Sequence, residues 1–269
     1  MKIRIASDLH CCMWGNKNVE GDLKDVLPHT EDDKKSVLCL AGDVGLYTSY
    51  KYNIEPYLVA LSKRFKAVCY VPGNHEWYGS SDWFGENDFW KYRNLPKNVH
   101  VLIDDFVKID GVVFIGSTLW TDFDNRNSVA MFHAESRMSD FECITKRIGD
   151  AFSRRISPED TVDRHYNSKK FIFDTLKMFK DKKCVVITHH MPSGLCVTEK
   201  FRGDLLNYAF HSELGNDITE LGKPNIWIAG HTHSTVNTII GETQIIINPY
   251  GYMFKETNRE YNPTLIVEI

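Results

Sequence analysis

The chain has 269 residues, of which 42% are hydrophobic and 12% aromatic, and its 32 Lys and Arg against 36 Asp and Glu give a formal net charge of −4. This composition is typical of a globular protein with a sizeable core, and it excludes the disordered, collagen-like and coiled-coil classes. No apolar run is long enough to span a membrane and the first residues do not form a secretory leader, so we expect a cytoplasmic protein without a membrane partner.

Short β-branched runs, bounded by Gly, Pro, Asn or Asp, recur along the chain and predict strands. In chain order they are Ile3–Ser7, Val37–Ala41, Ala67–Val71, Val112–Gly116, Cys184–Thr188, Ile226–Ala229, Val236–Ile240, Gln244–Ile247 and Leu265–Ile269. Several runs are apolar on both faces, as strands are in a sheet that is covered on both sides. Between the early runs, apolar residues spaced four and three apart predict a helix from Ile54 to Phe65. Together these patterns predict an α/β fold.

The stretch from about residue 125 to residue 182 has a different character. It is charged, it lacks strand signals, and it contains a helical pattern over Asp160–Phe179. We interpret it as a helical insertion that packs on the α/β body, because it is short and the strand pattern resumes after it. The sequence therefore predicts a single domain over residues 1–269.

Polar side chains follow five of the predicted strands directly. They are Asp8 and His10, then Asp43, then Asn74, His75 and Glu76, then His189 and His190, and finally His231 and His233. The carboxyl ends of parallel strands open into one crevice, so these side chains can meet although they are distant in sequence. Carboxylate, amide and imidazole groups together suit divalent first-row metals. There are too many of them for one ion, and a carboxylate such as Asp43 can bridge a pair.

Each of these residues has an ordinary explanation when it is taken alone. An Asp at a strand end is often a helix cap, an Asn forms turns, and most histidines are surface or core residues. Their joint placement at five strand ends favours a metal site. Gly42, Gly73 and Gly230 each precede a candidate ligand, where the missing Cβ lets the backbone turn sharply and approach that ligand.

The same residues resemble the five ordered blocks of the calcineurin-like metallophosphoesterase superfamily, which are Asp8-x-His10, Gly42-Asp43, Gly73-Asn74-His75-Glu76, His189 and Gly230-His231-x-His233. The resemblance implies a four-layer α/β/β/α sandwich with two mixed β-sheets and a dinuclear metal centre. It implies that one ion is held by Asp8, His10 and His233. The second ion would be held by Asn74, His189 and His231, with Asp43 between the two. His75 matches the catalytic histidine of the family, which is not a metal ligand.

The resemblance also implies a metal-dependent phosphoesterase that hydrolyses a phosphomonoester or phosphodiester, with nucleotide-like substrates included. In this hypothesis a metal-bridging hydroxide attacks in line, His75 protonates the leaving oxygen, and Asp8 orients His75. We expect two divalent ions, with Mn²⁺ first and Fe, Zn, Ni and Mg as alternatives. The second block continues as Val44-Gly45, without the arginine of protein Ser/Thr phosphatases, which argues against that branch.

Two other functions stay open at this point. A nuclease would use the same fold, but the net charge of −4 does not indicate a basic groove for nucleic acid. A binding scaffold that kept the fold and lost turnover would have no need of His75. A small phosphorylated molecule is therefore the partner that we expect.

Candidate substrate contacts lie close to the motifs. Trp77 and Tyr78 follow the third block, and Trp120 and Phe123 follow the Val112–Gly116 run, so an aromatic wall that stacks a base is one interpretation and core packing is the other. His190 either contacts substrate or orients its neighbour. Further along, Lys200 or Arg202 either meets a phosphate from a flap or belongs to a surface loop.

Overall fold

The computed structural model describes residues 1–11, 18–46, 54–79, 83, 94–149, 152–253 and 255–269. Its first large sheet contains β1 (Lys2–Ala6), β2 (Ser36–Ala41), β3 (Ala67–Val71), β4 (Val99–Val101) and β15 (Ile266–Glu268). The strand order is β15-β1-β2-β3-β4. Strands β1 to β4 are parallel, and β15 pairs antiparallel with β1.

The second large sheet contains β5 (Asp105–Ile109), β6 (Val112–Ser117), β9 (Cys184–Thr188), β10 (Ile226–Ala229), β11 (Val236–Ile240) and β12 (Thr243–Ile247). Its order is β11-β12-β10-β9-β6-β5, with four parallel strands in the middle and an antiparallel strand at each edge. The described residues also form two small hairpins. One consists of β7 (Thr145–Ile148) and β8 (Phe152–Arg155), and the other of β13 (Gly251–Tyr252) and β14 (Glu256–Thr257).

The described helices are α1 (Val19–Val26), α2 (Glu55–Arg64), α3 (Ser128–Arg137), α4 (Asp140–Cys143), α5 (Pro158–Met178) and α6 (Gly215–Glu220). A short turn, Phe123–Arg126, precedes α3 and has positive φ at all four residues. Among the described residues, no helix is both long and apolar enough to cross a bilayer.

Three clusters of buried apolar side chains separate four layers. Successive strand side chains point to opposite faces of a sheet, so each sheet contributes to two clusters. The cluster between the sheets includes Ile5, Cys39, Phe114 and Ile187. The outer face of the first sheet packs on α1 and α2 through Leu38, Leu40, Leu23 and Leu58. The outer face of the second sheet packs on α5 and α6 through Val186, Trp227, Ile172, Leu176 and Ile218. The predicted four-layer α/β/β/α sandwich with two mixed sheets is confirmed.

The nine predicted strands are all present, and their ends differ from the prediction by at most one residue. The sequence did not predict β4 and β5, which are short edge strands with half-exposed side chains and therefore lack a continuous apolar run. Edge strands face solvent on more sides, so their hydrophobic signal is weak.

The described part of the segment from about residue 125 to residue 182 contains three helices and one hairpin. The hairpin strands β7 and β8 occur although the sequence there lacks strand signals. Most of the hairpin side chains are charged or exposed on both faces, which removes the alternation that reveals a strand. The hairpin is fixed to α5 instead, where Lys146 and Arg154 both pair with Asp160 in the first turn of the helix.

Candidate metal centre

The side chains that follow five strands lie together at one edge of the sandwich. The backbone amide of His231, after β10, donates to the carboxylate of Asp8, after β1, at 3.0 Å, which joins the two sheets. Positive φ angles occur at Asp8 (53°), His10 (45°), Asp43 (53°), His231 (68°) and His233 (51°). This region is uncommon for residues other than glycine, and such strain concentrates at functional sites.

The first cluster of metal-ligating atoms consists of Asp8, His10 and His233. Nε2 of His10 lies 3.1 Å from Nε2 of His233, which in turn lies 3.5 Å from Oδ1 of Asp8. Burial lowers the pKa of His10 to about 3, so its imidazole is neutral and has a free lone pair. These three residues are the set predicted for one ion.

The second cluster surrounds Nε2 of His189. This atom lies 2.9 Å from Oδ1 of Asn74, 3.4 Å from Oδ1 of Asp43 and 3.2 Å from Nδ1 of His231. The other ring nitrogen of His189 donates to the carbonyl of Ala41 at 2.9 Å, which directs Nε2 at the site. The predicted second set is therefore also brought together.

Asp43 lies between the two clusters. Its Oδ2 is 4.0 Å from Nε2 of His10, and its Oδ1 is 3.4 Å from Nε2 of His189, so its two oxygens face different clusters. Burial opposes ionisation of Asp43, but the charges of His189 and His75 outweigh burial and hold its pKa well below the usual range. A buried carboxylate in this position is suited to a bridge.

The chemistry of these donors fits a pair of divalent cations. Two pairs of ring nitrogens from different histidines, with carboxylate oxygens beside them, point at each other inside a buried site. Burial opposes protonation of His189, yet the negative charge of Asp43 raises the pKa of His189 to about 10. The site therefore favours positive charge, and carboxylate with imidazole is a donor set that Mn, Fe and Zn accept.

Two of the predicted glycines allow the backbone to approach these ligands. A Cβ on Gly230 would lie 2.6 Å from the carbonyl oxygen of Ala41 and 2.8 Å from Oδ2 of Asp8. A Cβ on Gly73 would overlap Oδ1 of Asp43 and lie 2.8 Å from Cε1 of His189. Real Cβ atoms do not approach neighbours this closely, so a larger residue would displace a ligand at either position.

His75 lies beside the clusters with its side chain 18% exposed. Its backbone amide donates to Oδ1 of Asp43 at 3.0 Å, and its Nε2 lies 3.0 Å from the hydroxyl of Tyr252. Its ring stacks on Tyr78 at 4.3 Å between centroids. Its Nε2 also lies 3.9 Å from Oδ2 of Asp43. The orienting role expected of Asp8 stays a prediction.

Three residues at the site carried no predicted role, and the first is Glu76. Its buried carboxylate accepts hydrogen bonds from the backbone amides of Gly73 (2.6 Å), Val44 (2.7 Å), Asp43 (3.0 Å) and Gly45 (3.3 Å). Burial and the charge of Asp43 raise its pKa to about 7, against the effect of these donors. Glu76 thus ties the loop after β2 to the loop after β3.

The second such residue is Asp140, at the start of α4. Its Oδ1 accepts from Nδ2 of Asn74 at 2.6 Å and from the hydroxyl of Tyr78 at 2.7 Å. An ionised carboxylate only accepts, so it fixes the amide NH₂ and turns Oδ1 of Asn74 toward His189. The third is Tyr252, which stacks on His10 and contacts His75.

The predicted substrate contacts are distributed between the core and the surface. Trp77 is fully buried in the core outside the first sheet, and Trp120 is buried edge-on against Trp83, so neither forms a stacking wall. Phe123 is also buried. Of the four predicted aromatic contacts, Tyr78 is the one that lines the cavity.

The polar candidates also lie away from the open face of the site. His190 is buried, its Nδ1 donates to the carbonyl of Thr118 at 3.1 Å, and burial lowers its pKa to about 3. Its ring contacts His189 and His231, as the orienting alternative requires. The Arg202 side chain is 74% exposed and pairs with Glu199, while Lys200 lies over the ring of Phe201.

Comparison with known proteins places these observations in context. A family model described as calcineurin-like phosphoesterase matches residues 1–235. An uncharacterized protein of Acanthamoeba polyphaga mimivirus is 28% identical over 284 residues, covering 99% of this chain and 96% of that protein. Among solved structures, a phosphopantetheinyl hydrolase from Mycobacterium tuberculosis is similar with a TM-score of 0.67 at 17% identity, covering 93% of this chain and 89% of that chain. That similarity shows a shared fold.

Proposed function

The chain belongs to the calcineurin-like phosphoesterase family, and from that membership we propose that it is a dinuclear metal-dependent hydrolase of phosphoric esters. The observation that carries the proposal is the position of Asp43, whose two oxygens face two separate clusters of metal-ligating atoms. A single ion would not need two such clusters joined by one carboxylate.

Each cluster has a defined set of ligands. One ion would be held by Asp8, His10 and His233, and the other by Asn74, His189 and His231. Asp43 would be a ligand of both ions. When bound, the two cations supply positive charge for the phosphoryl oxygens and activate the attacking water. Mn²⁺ is the ion that we propose, and Fe, Zn, Ni and Mg suit the same donors.

His75 has the position of a general acid. His75 lines the cavity, where its Nε2 can protonate the leaving oxygen, a role worth roughly 10²- to 10⁴-fold in rate. The hydroxyl of Tyr252 lies 3.0 Å from Nε2, so it holds the ring until the leaving oxygen replaces it as the partner of that nitrogen. Stacking on Tyr78 keeps the ring in this place.

A small substrate is favoured over a nucleic acid. No Lys or Arg occurs among the described residues that line the cavity beside His75, and the whole chain has a net charge of −4. Nucleic-acid binding draws most of its affinity from cationic side chains on phosphates. The open position of His75 also argues against a scaffold without turnover.

Metal analysis combined with a substrate panel tests the proposal. The purified protein, loaded with Mn²⁺, would be assayed on p-nitrophenyl phosphate, bis-p-nitrophenyl phosphate, cyclic nucleotides and single-stranded DNA. We expect two ions per chain and turnover of at least one small ester. Turnover of DNA alone would indicate a nuclease, and no turnover with both ions bound would indicate a scaffold.

Two variants separate metal binding from proton transfer. His75→Ala should keep both ions and lose at least about 100-fold in turnover, whereas His29→Ala, at an exposed histidine, should change neither. Asp43→Ala should lose metal, with the exposed Asp174→Ala as its control. Unchanged turnover would remove His75 from the mechanism, and an Asp43 variant that keeps both ions would refute the bridge.

A further inference from the structure

The cavity beside His75 is lined by two chemically different groups of side chains, and its volume is about 420 Å³. One group, the metal end, is the predicted ligands Asp43, Asn74, His231 and His233 together with His75. The other group, the apolar end, is Met138, Met191, Val197, Phe201, Leu206 and Phe210. The two groups meet at Phe210, whose ring packs on His231 at 4.3 Å between centroids. All residues of the apolar end except Met191 are half-buried, so part of their apolar surface faces the cavity.

The apolar end is built by one ordered segment, residues 191–210, together with the end of α3. The backbone amide of Met191 donates to the carbonyl of Phe210 at 3.0 Å. Within the segment, Nδ2 of Asn207 donates to the carbonyl of Phe201 at 2.6 Å, and Asp204 caps the turn that follows it through the amide of Leu206 at 2.9 Å. These bonds fix the apolar side chains next to the metal end.

The charged side chains in the cavity lining, apart from the histidines, are acidic. Asp204 belongs to the same segment as the apolar residues and has an exposed carboxylate, whereas Glu256 lies at the metal end, 3.7 Å from Nδ1 of His233. Lys and Arg are absent from the lining within the described part of the chain. Arg202 pairs with Glu199 and Lys200 lies over the ring of Phe201, and neither of these two cations is part of the cavity lining. A second anionic group on the substrate would meet the like charge of Asp204 inside the cavity.

From this arrangement we propose that the substrate carries one phosphoryl group on an uncharged, mainly apolar alcohol, which occupies the end of the cavity formed by Phe201 and its neighbours. The inference rests on the proposed phosphoesterase function and adds the class of the leaving group. Nucleoside di- and triphosphates are then poor substrates, because their further phosphates would lie beside Asp204. Each methylene of the alcohol that reaches the apolar end is worth roughly fourfold in affinity.

Three matched esters test the proposal on the Mn²⁺-loaded protein: methyl phosphate, hexyl phosphate and 5-carboxypentyl phosphate, each as the monoester and as the methyl diester. Hydrolysis is followed by phosphorus NMR. We expect kcat/KM for the hexyl ester to exceed those for the methyl and the carboxypentyl esters by at least about tenfold. Turnover of p-nitrophenyl phosphate without these preferences would overturn this inference and leave the proposed function standing. No turnover of any ester would overturn both.

Two variants assign the preference to the cavity. Phe201→Ala should lower the hexyl-to-methyl ratio at least about fivefold, while Phe152→Ala, at a 71% exposed phenylalanine outside the cavity, should keep it. Asp204→Asn retains an oxygen for the amide of Leu206 but removes the charge, so it should raise hydrolysis of the carboxypentyl ester relative to the hexyl ester. Ratios that stay at the wild-type values in both cavity variants would overturn the proposal.

Discussion

Asp140 offers the sharpest test of how the second cluster is held. The residue is 1% exposed, and its Oδ1 accepts from Nδ2 of Asn74 at 2.6 Å and from Tyr78 at 2.7 Å. In Asp140→Ala the side chain of Asn74 loses the carboxylate that accepts from its NH₂ and so fixes the orientation of the amide. The amide can then rotate and direct its NH₂, instead of its oxygen, at a cation, and that contact is repulsive.

Removing such a partner of a metal ligand costs roughly 10- to 100-fold in metal affinity, or about 1.4–2.7 kcal/mol. We therefore expect Asp140→Ala to weaken Mn²⁺ binding by that factor at one of two sites and to leave the other unchanged. Asp140→Asn keeps an acceptor oxygen, so its effect should be smaller. Tyr78→Phe leaves the bond to Asn74 in place and should also have a small effect.

Calorimetric titration of the metal-free protein with Mn²⁺ measures both sites, and Asp174→Ala, at an exposed acid on α5, is the control for removing a carboxylate. Two unchanged dissociation constants in Asp140→Ala would refute the reasoning. Equal weakening at both sites would also refute it, because the contacts of Asp140 reach Asn74 and not the first cluster.

Three further predictions concern the loops and the insertion. Glu76→Gln turns an NH₂ toward backbone amides and should lower the free energy of unfolding, measured with urea, by about 1–3 kcal/mol. An unchanged urea midpoint would contradict the inference that Glu76 ties the loop after β2 to the loop after β3. Gly230→Ala should lower the Mn²⁺ content by displacing Asp8, whereas Gly45→Ala, whose Cβ would lie 3.7 Å from the nearest atom of the described residues, should not. Burial opposes ionisation of Asp160, but its bonds to Arg154 and Lys146 outweigh burial and lower its pKa to about 2. The contribution of Asp160 to the free energy of unfolding is therefore present above about pH 4 and lost toward pH 2. Asp160→Ala should lower the free energy of unfolding by about 1–2 kcal/mol at pH 7 and by much less near pH 2. A difference between variant and wild type that does not change with pH in urea unfolding would contradict this.

The sequence predicted the sheets and the ligand clusters because both depend on local patterns. Runs such as Val37–Ala41 are apolar on both faces, and only a sheet covered on both sides accommodates that. Parallel strands end at the same edge of their sheet. Asp43 and His189 follow strands of different sheets, and they meet because the two sheets stack with these edges together.

The residues that support the ligands could not be predicted in this way. Asp140 lies 66 residues from Asn74 and Tyr252 lies 177 residues from His75, so no local spacing relates either pair. The position of an aromatic ring is equally indeterminate, because a motif does not specify which side of the backbone faces the core. Trp77 therefore turned out to be a core residue, whereas Tyr78 next to it lines the cavity.

The central claim is that Asp43 joins two metal ions. Crystals of the Mn²⁺-loaded protein, measured at the manganese absorption edge, would locate the ions directly from anomalous scattering. We predict two peaks roughly 3.5–4 Å apart, one beside Asp8 and the other beside His189, with Asp43 between them. A single peak, or two peaks without Asp43 between them, would contradict the account.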